Sequence, residues 1–276
     1  LVNPLNRKLT EDELAEMVKD FDVIIAGTEL ITKKVMGIAS NLKMISRVGI
    51  GLDSVDLLEA KKRGIIVSYT PDAPAPAVAE LTIGLMLTLL RSVQLSNMWM
   101  HDAKWHRFFG RRLSEITIGI IGVGRIGTGG LQHLQGFGSP KILVNDITPD
   151  NNLEKKFNIE WVDKGTIYQQ ADIITIHTPL TAQTKNMVKK EQLLSMKEDA
   201  RGGIINEQDL YDVIQSDHLS GAAIDVFDFE PYVGKLREIQ RCILTAHMGS
   251  MSVDCRTRME IEATEEAGRF LTNQPL

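Results

Sequence analysis

Ile116-Thr-Ile-Gly-Ile-Ile-Gly122-Val-Gly124-Arg-Ile-Gly127 places three glycines in G-x-G-x-x-G order, directly after an apolar strand and directly before a helical stretch. A second strand follows and ends at Asp146, nineteen residues beyond Gly127. In that setting each glycine has a separate physical reason. Gly122 makes the tight turn, the absent side chain of Gly124 lets a pyrophosphate approach the backbone, and Gly127 lets helix and strand pack closely. The helix N-terminus then stabilises the phosphate charge. Asp146 accepts from ribose hydroxyls and repels a 2′-phosphate, and neighbouring Asn145 adds no positive charge, so the cofactor expected is NAD rather than NADP. A strand-to-helix turn can also need glycine without holding any ligand. The second strand and its terminal carboxylate weigh against that plainer reading.

Outward from this motif, short aliphatic runs alternate with helical patterns along nearly the whole chain. The runs lie at 21–26, 44–48, 65–68, 116–121, 142–144, 171–177, 221–226 and 242–245. Helical patterns fall at 10–19, 54–63 and 207–215, with acidic residues early, where the positive end of a helix favours them. Alternation of this kind predicts parallel α/β sheets. At about 150 residues per domain, 276 residues predict two units. Residues 75–90 are apolar on every side of a helical wheel, which predicts an enclosed helix linking the two. Residues 92–112 show no clean period, and the boundary is expected there. Residues 253–271 carry Cys255, Met259, Ala263 and Ala267 at four-residue spacing, the pattern of an amphipathic helix.

Composition narrows the class. With 31 Lys and Arg against 36 Asp and Glu, the net charge is -5, which gives no drive toward nucleic acid or an anionic membrane. The longest strongly apolar run, 81–90, is too short to span a bilayer. Two cysteines, Cys242 and Cys255, argue against a disulfide framework and for a reducing compartment, the cytoplasm. No metal-ligand spacing such as HExxH or CxxC is present, so no metal is expected.

Seven motifs, in order, carry a resemblance: Arg47-Val-Gly49-Ile50-Gly51-Leu-Asp53, Val78-Ala-Glu80, the glycine fingerprint, His177-Thr178-Pro179-Leu180, Arg201-Gly-Gly203, Asp225-Val-Phe-Asp-Phe-Glu230-Pro231 and Ala246-His247-Met-Gly249. On these the chain resembles the D-isomer-specific 2-hydroxyacid dehydrogenase family, most closely its phosphoglycerate dehydrogenase branch without the regulatory domain. The resemblance implies two Rossmann-like parallel-sheet domains with the active site in the cleft between them. Residues 1–92 with 253–276 would form a flavodoxin-like substrate-binding domain, and 93–252 the NAD-binding domain. It also implies a homodimer, and a catalytic group of Arg201, Glu230 and His247. Arg47, Gly49, Ile50 and Gly51 would bind substrate. Gly122, Gly124, Arg125, Ile126, Gly127, Asp146, Thr178, Pro179, Asp225 and Gly249 would bind the cofactor.

Elementary chemistry asks for the same residue types. Reducing a 2-keto acid by hydride transfer builds negative charge on the carbonyl oxygen, so a proton donor titrating near neutrality is needed, and histidine suits. A carboxylate on the other ring nitrogen favours the imidazolium and fixes the tautomer, the role expected of Glu230 toward His247. Arg201 offers a planar fork of donors for a substrate carboxylate. Backbone amides of the turn 49–51 would grip its other side. Arg47 resembles the family's phosphate-side arginine, which makes 3-phosphoglycerate the first substrate expected and glyoxylate or hydroxypyruvate the alternative. Formate oxidation is disfavoured because Glu230 stands where that chemistry pairs a glutamine with the histidine. His101, His106, His133 and His218 are expected on the surface or in packing, and His177 along the cofactor cleft. A rival from another class is an NAD-sensing, co-repressor-like binding module, in which turnover is incidental.

The chain departs from the family pattern in two places. An apolar strand ending in an Asn-Thr-like pair should precede Ala200-Arg201, yet Met196-Lys-Glu-Asp-Ala200 runs straight into the arginine. The deficit is about six residues, and loss of a central strand would misplace Arg201 by roughly 20 Å at ~3.3 Å per residue. The expectation is that the sequence closes up over residues the protein contains near Asp199–Arg201, as it omits a first strand before Leu1, which is not a natural initiator. Ala246 also stands where the family usually has proline, which would loosen the His247 turn.

Overall fold

The computed structural model describes residues 2–5, 7–197 and 205–275. It divides into two compact units, Leu1–Pro74 with Ser250–Leu276, and Ala75–Gly249. In the first, α1 (Glu11–Val18), β1 (Val23–Ala26), α2 (Lys33–Ile38), β2 (Met44–Arg47), α3 (Leu57–Arg63) and β3 (Ile66–Tyr69) form a parallel sheet in the order β1-β2-β3. Ile45 pairs with Ile24 on one side and Val67 on the other. All four residues of β2 are buried, as a central parallel strand requires. Thr10 and Glu13 close a capping box on α1, each side chain accepting the other's backbone N–H.

The second unit opens with α4 (Ala75–Arg91) and α5 (Val93–His101), followed by β4 (Thr117–Ile121), α6 (Arg125–Leu134), β5 (Lys141–Asn145), α7 (Asn151–Lys156), β6 (Ile159–Trp161), α8 (Lys164–Gln170), β7 (Ile173–Ile176), α9 (Lys190–Ser195), α10 (Glu207–Gln215), β8 (Ala222–Ile224) and β9 (Cys242–Leu244). Four strands make a parallel sheet in the order β6-β5-β4-β7, and β8 pairs with β9, also parallel. Alternate residues of β4 enter different cores. Ile118 and Ile120 join a cluster with Ile83 and Met86 of α4 and Leu131 and Leu134 of α6, while Ile121 joins one with Ile167 of α8 and Leu193 of α9. Burial on both faces explains why this strand reads as a continuous apolar run. The last element, α11 (Val253–Leu271), belongs to the first unit and buries Cys255, Met259, Ala263 and Ala267 as their spacing predicts. Ser46 of β2 donates its hydroxyl to Ala263 O at 2.7 Å.

The boundary expected after residue 92 lies at Pro74, and the one expected at 252/253 lies after Gly249. Helix α4 goes with the second unit because it packs on α6: a Cβ on Gly129 would lie 2.9 Å from Ala79 Cβ, an approach that only small residues permit. Part of the aperiodic stretch 92–112 is helical, as α5, a helix with no buried residue. The junction at Asp199–Arg201, and the strand expected beside it, lie outside the described residues.

Candidate active site

β4 ends at Ile121 and the chain turns at Gly122, whose φ is +94° and whose N–H donates to Asn145 O at 2.8 Å. A Cβ at Gly122 would sit 2.5 Å from His177 O, so glycine is required. That contact marks where the strand order reverses, with β5 on one side of β4 and β7 on the other, and open α/β sheets bind ligands at this crevice. A Cβ on Gly127 would lie 2.2 Å from Gly122 O, so helix packing requires that glycine as well. Gly124 differs: nothing lies within 4 Å of its Cβ position, although it caps the ten-residue α6. No packing demand accounts for a glycine there, and its missing side chain leaves the N-terminus of α6 open to a phosphate.

Two further observations fit a dinucleotide. Thr178 Oγ1 is buried with no hydrogen-bond partner, beside the Gly122 turn. Asp146, at the end of β5, accepts from Val123 N at 2.7 Å and Thr148 N at 2.9 Å, which ties the glycine turn to the position expected to hold ribose. Arg125 and Ile126 open α6, with Arg125 exposed. Pro179 is exposed, its carbonyl accepting from Thr184 Oγ1 at 2.5 Å. Burial pushes the His177 imidazole down to about 4, which leaves it neutral at pH 7 and suits a lining role rather than proton transfer.

The same unit carries an acid–base pair. His247 Nδ1 and Glu230 Oε2 are 3.0 Å apart, and Glu230 Oε1 accepts from Phe227 N at 3.2 Å. His247 adopts φ +49°, and its N–H donates to Asp225 O at 2.9 Å and Thr245 O at 3.0 Å. Asp225 closes this turn, its carboxylate accepting from Thr245 Oγ1 at 2.6 Å, Met248 N at 2.8 Å and Gly249 N at 2.9 Å. Asp225 and Gly249, expected among cofactor contacts, are thus bonded to each other and brace the histidine. These bonds hold the turn that follows Ala246. Nothing in the sequence singled out that role, although an Asp twenty-two residues before His247, directly after the parallel strand that adjoins β9, was a usable signal. Arg201 lies outside the described residues. His106 packs against Trp99 and Phe108, and His218 contacts Met196 O at 3.2 Å.

In the first unit, Arg47 ends β2 and is only 9% exposed. Its guanidinium bonds Val48 O, its Nε is buried without a partner, and burial lowers it against the attraction of Asp53 and Glu29. Gly49, at φ +125°, packs against this guanidinium. The Gly49 N–H expected to grip a substrate carboxylate donates instead to Thr70 Oγ1 at 2.8 Å, while Thr70 N donates to Gly49 O at 3.1 Å. Thr70, 1% exposed, escaped the sequence reading because it is twenty-one residues away with no motif of its own. Ile50 is exposed. Among the described residues, no group of three or more His, Cys, Asp or Glu is placed to hold a metal, and no single helix is long and apolar enough to cross a membrane.

Strand order, glycine turn and terminal carboxylate together define a dinucleotide-binding α/β unit. The family model for the D-isomer specific 2-hydroxyacid dehydrogenase NAD binding domain matches residues 83–249. The chain belongs to the D-isomer specific 2-hydroxyacid dehydrogenase family and is an NAD-dependent oxidoreductase of that class. It is 33% identical over 94% of its length to the hydroxypyruvate reductase of Thermotoga maritima, covering 87% of that protein. It is 35% identical over 96% of its length to a D-3-phosphoglycerate dehydrogenase of Methanocaldococcus jannaschii, of which it spans 51%. Among solved structures, the NAD-dependent formate dehydrogenase of Staphylococcus aureus in complex with NAD matches with a TM-score of 0.86 at 28% identity, over 96% of this chain and 83% of that one.

Proposed function

We propose that the chain interconverts a small D-2-hydroxy acid and its 2-keto acid, with His247 moving the proton. The observation that carries this is the His247–Glu230 pair, 3.0 Å apart, in the same unit as the unfilled Gly124 position. NAD, when bound, supplies or accepts the hydride. Gly122, Gly124, Arg125, Ile126 and Gly127 would hold its pyrophosphate, Asp146 its ribose, and Thr178 and Pro179 the crevice wall. Glu230 engages Nδ1 and leaves Nε2 of His247 to face the substrate oxygen. In reduction the imidazolium donates its proton to the developing alkoxide, and in oxidation the neutral ring receives it. Asp225 holds the ring's backbone throughout. Arg201 would pin the substrate carboxylate. In the first unit the amides of Ile50 and Gly51 are the ones proposed to bind substrate, since that of Gly49 is engaged by Thr70.

3-Phosphoglycerate is the first substrate to test, because Arg47 stands in the position the phosphate branch uses. A second reading, reduction of hydroxypyruvate or glyoxylate, is favoured by the burial of Arg47 and its bond to Val48 O, which withdraw it from a solvated phosphate. The matched hydroxypyruvate reductase is also covered over nearly its whole length. Purified protein with NADH and a panel of phosphohydroxypyruvate, hydroxypyruvate and glyoxylate separates the two. Turnover of the last two without the first removes the phosphate reading, and no turnover of any shifts weight to an NAD-sensing binding module.

A homodimer fits a surface apolar stretch in 93–112, where Trp105 is 81% exposed and Val93 and Phe109 are also exposed. The reading places the protein in the cytoplasm, in keeping with two free, buried cysteines, and without nucleic-acid or membrane partners.

A further inference from the structure

Glu207 opens α10, where a carboxylate is ordinary because it suits the positive end of a helix. Its Oε1 serves a different element: it accepts the Asp228 N–H at 3.0 Å, twenty-one residues along the chain. Next to Asp228, Phe227 N donates to Glu230 Oε1 at 3.2 Å, and Glu230 Oε2 meets His247 Nδ1 at 3.0 Å. A short path of bonds therefore runs from a helix end, through the loop, to the imidazole. The loop is closed on itself by the Phe227 and Tyr232 rings, stacked at 4.1 Å and 18°. Tyr232 Oη accepts from Leu236 N at 3.2 Å.

We propose that Glu207 is a positioning residue for the acid–base pair: by holding the Asp228 amide it sets how closely Glu230 meets His247, and so the pH range over which the imidazole keeps a proton to transfer. The inference rests on the dehydrogenase reading. Charged groups on the loop and turn 225–249, among the described residues, are Asp225, Asp228, Glu230, Lys235, Arg237, Glu238, Arg241 and His247, and Glu207 meets the loop from α10. Four of them are carboxylates besides Glu230, so a through-space charge effect has to be separated from a hydrogen-bond effect.

Three variants separate them, each read by the pH–rate profile of 2-keto acid reduction, with NADH affinity and thermal unfolding measured alongside. Glu207→Ala removes the acceptor and should move the basic limb to lower pH by about half a unit. Glu207→Asp keeps the charge but is one methylene short of the amide, and should shift the limb as Ala does. Glu207→Gln drops the charge but keeps an acceptor oxygen, and should restore the limb close to the wild-type position. In a Glu230→Gln background, Glu207→Ala should add no further shift. A Gln variant that shifts like Ala, or an Asp variant with the wild-type limb, overturns the proposal; if Ala fails to fold, the Asp and Gln pair decides alone. Wild-type protein that oxidises NADH with no 2-keto acid overturns the dehydrogenase reading, whereas normal turnover with unmoved limbs overturns only the role of Glu207.

Discussion

The turn after β4 and the turn after β2 share a G-x-G spacing and a setting: each follows a parallel strand, and each opens on a glycine at positive φ, +94° at Gly122 and +125° at Gly49. Their surroundings differ. After β4 the chain enters a ten-residue helix at once, and the Cβ position of Gly124 is empty. After β2 the turn is filled from within. Thr70 occupies the Gly49 amide, Asp53 Oδ1 lies 2.8 Å from a Cβ on Gly51, and the Arg47 guanidinium packs beneath. A glycine pattern therefore does not by itself report a ligand cradle. What sets the first turn apart is that the Gly124 Cβ position is open at the N-terminus of the helix that follows at once, whereas the positions around Gly49 and Gly51 are taken by side chains of their own unit.

Four experiments bear on that contrast. Gly127→Ala drives a Cβ to 2.2 Å from a backbone oxygen and is expected to cost about 3 kcal/mol in denaturant unfolding; wild-type stability would mean the helix is not packed as described. Gly49→Ala, strained in φ and pressed on Arg47, is expected to cost about 2 kcal/mol while leaving NADH affinity unchanged. Gly124→Ala reverses the pattern: stability should stay within about 1 kcal/mol of wild type while NADH affinity falls about tenfold. Equal NADH affinity in the Gly124 and Gly49 variants would erase the distinction between the turns.

A pH-dependent effect concerns His177, whose carbonyl backs Gly122. Its folded-state value is about 4 against 6.5 for the free group, so between those values the unfolded chain binds a proton that the folded chain does not. Stability should be full above pH 6.5 and decline as pH falls toward 4, by at most about 1.4 kcal/mol per unit. Replacement by Asn should flatten that slope, as followed by chemical denaturation between pH 7 and 5.

Most of the second unit was legible because its signals are local. The run 116–121 is apolar on both faces, the glycines are spaced for a turn, and Asp146 ends a strand. β6 escaped notice because Ile-Glu-Trp at an edge is too short to show a period. Helix α4 was assigned to the wrong side of the boundary because an all-round apolar helix does not say which partner it packs against. The prolines at 71, 74 and 76 marked its start, since proline is tolerated in a first helical turn and restricts the residue before it. At the site, His247 and Glu230 were found by resemblance and chemistry, whereas Thr70, Asp225 and Glu207 act through backbone amides distant in sequence. Such roles depend on which loops meet, and no spacing rule encodes that.

The most direct test of proton transfer at His247 follows NADH absorbance with a saturating 2-keto acid, comparing wild-type protein with His247→Ala while NADH affinity is measured separately by fluorescence. Wild-type protein should oxidise NADH and the variant should be slower by about 100-fold or more with its NADH affinity retained. A variant as fast as wild type would contradict the assignment of the imidazole as the proton donor.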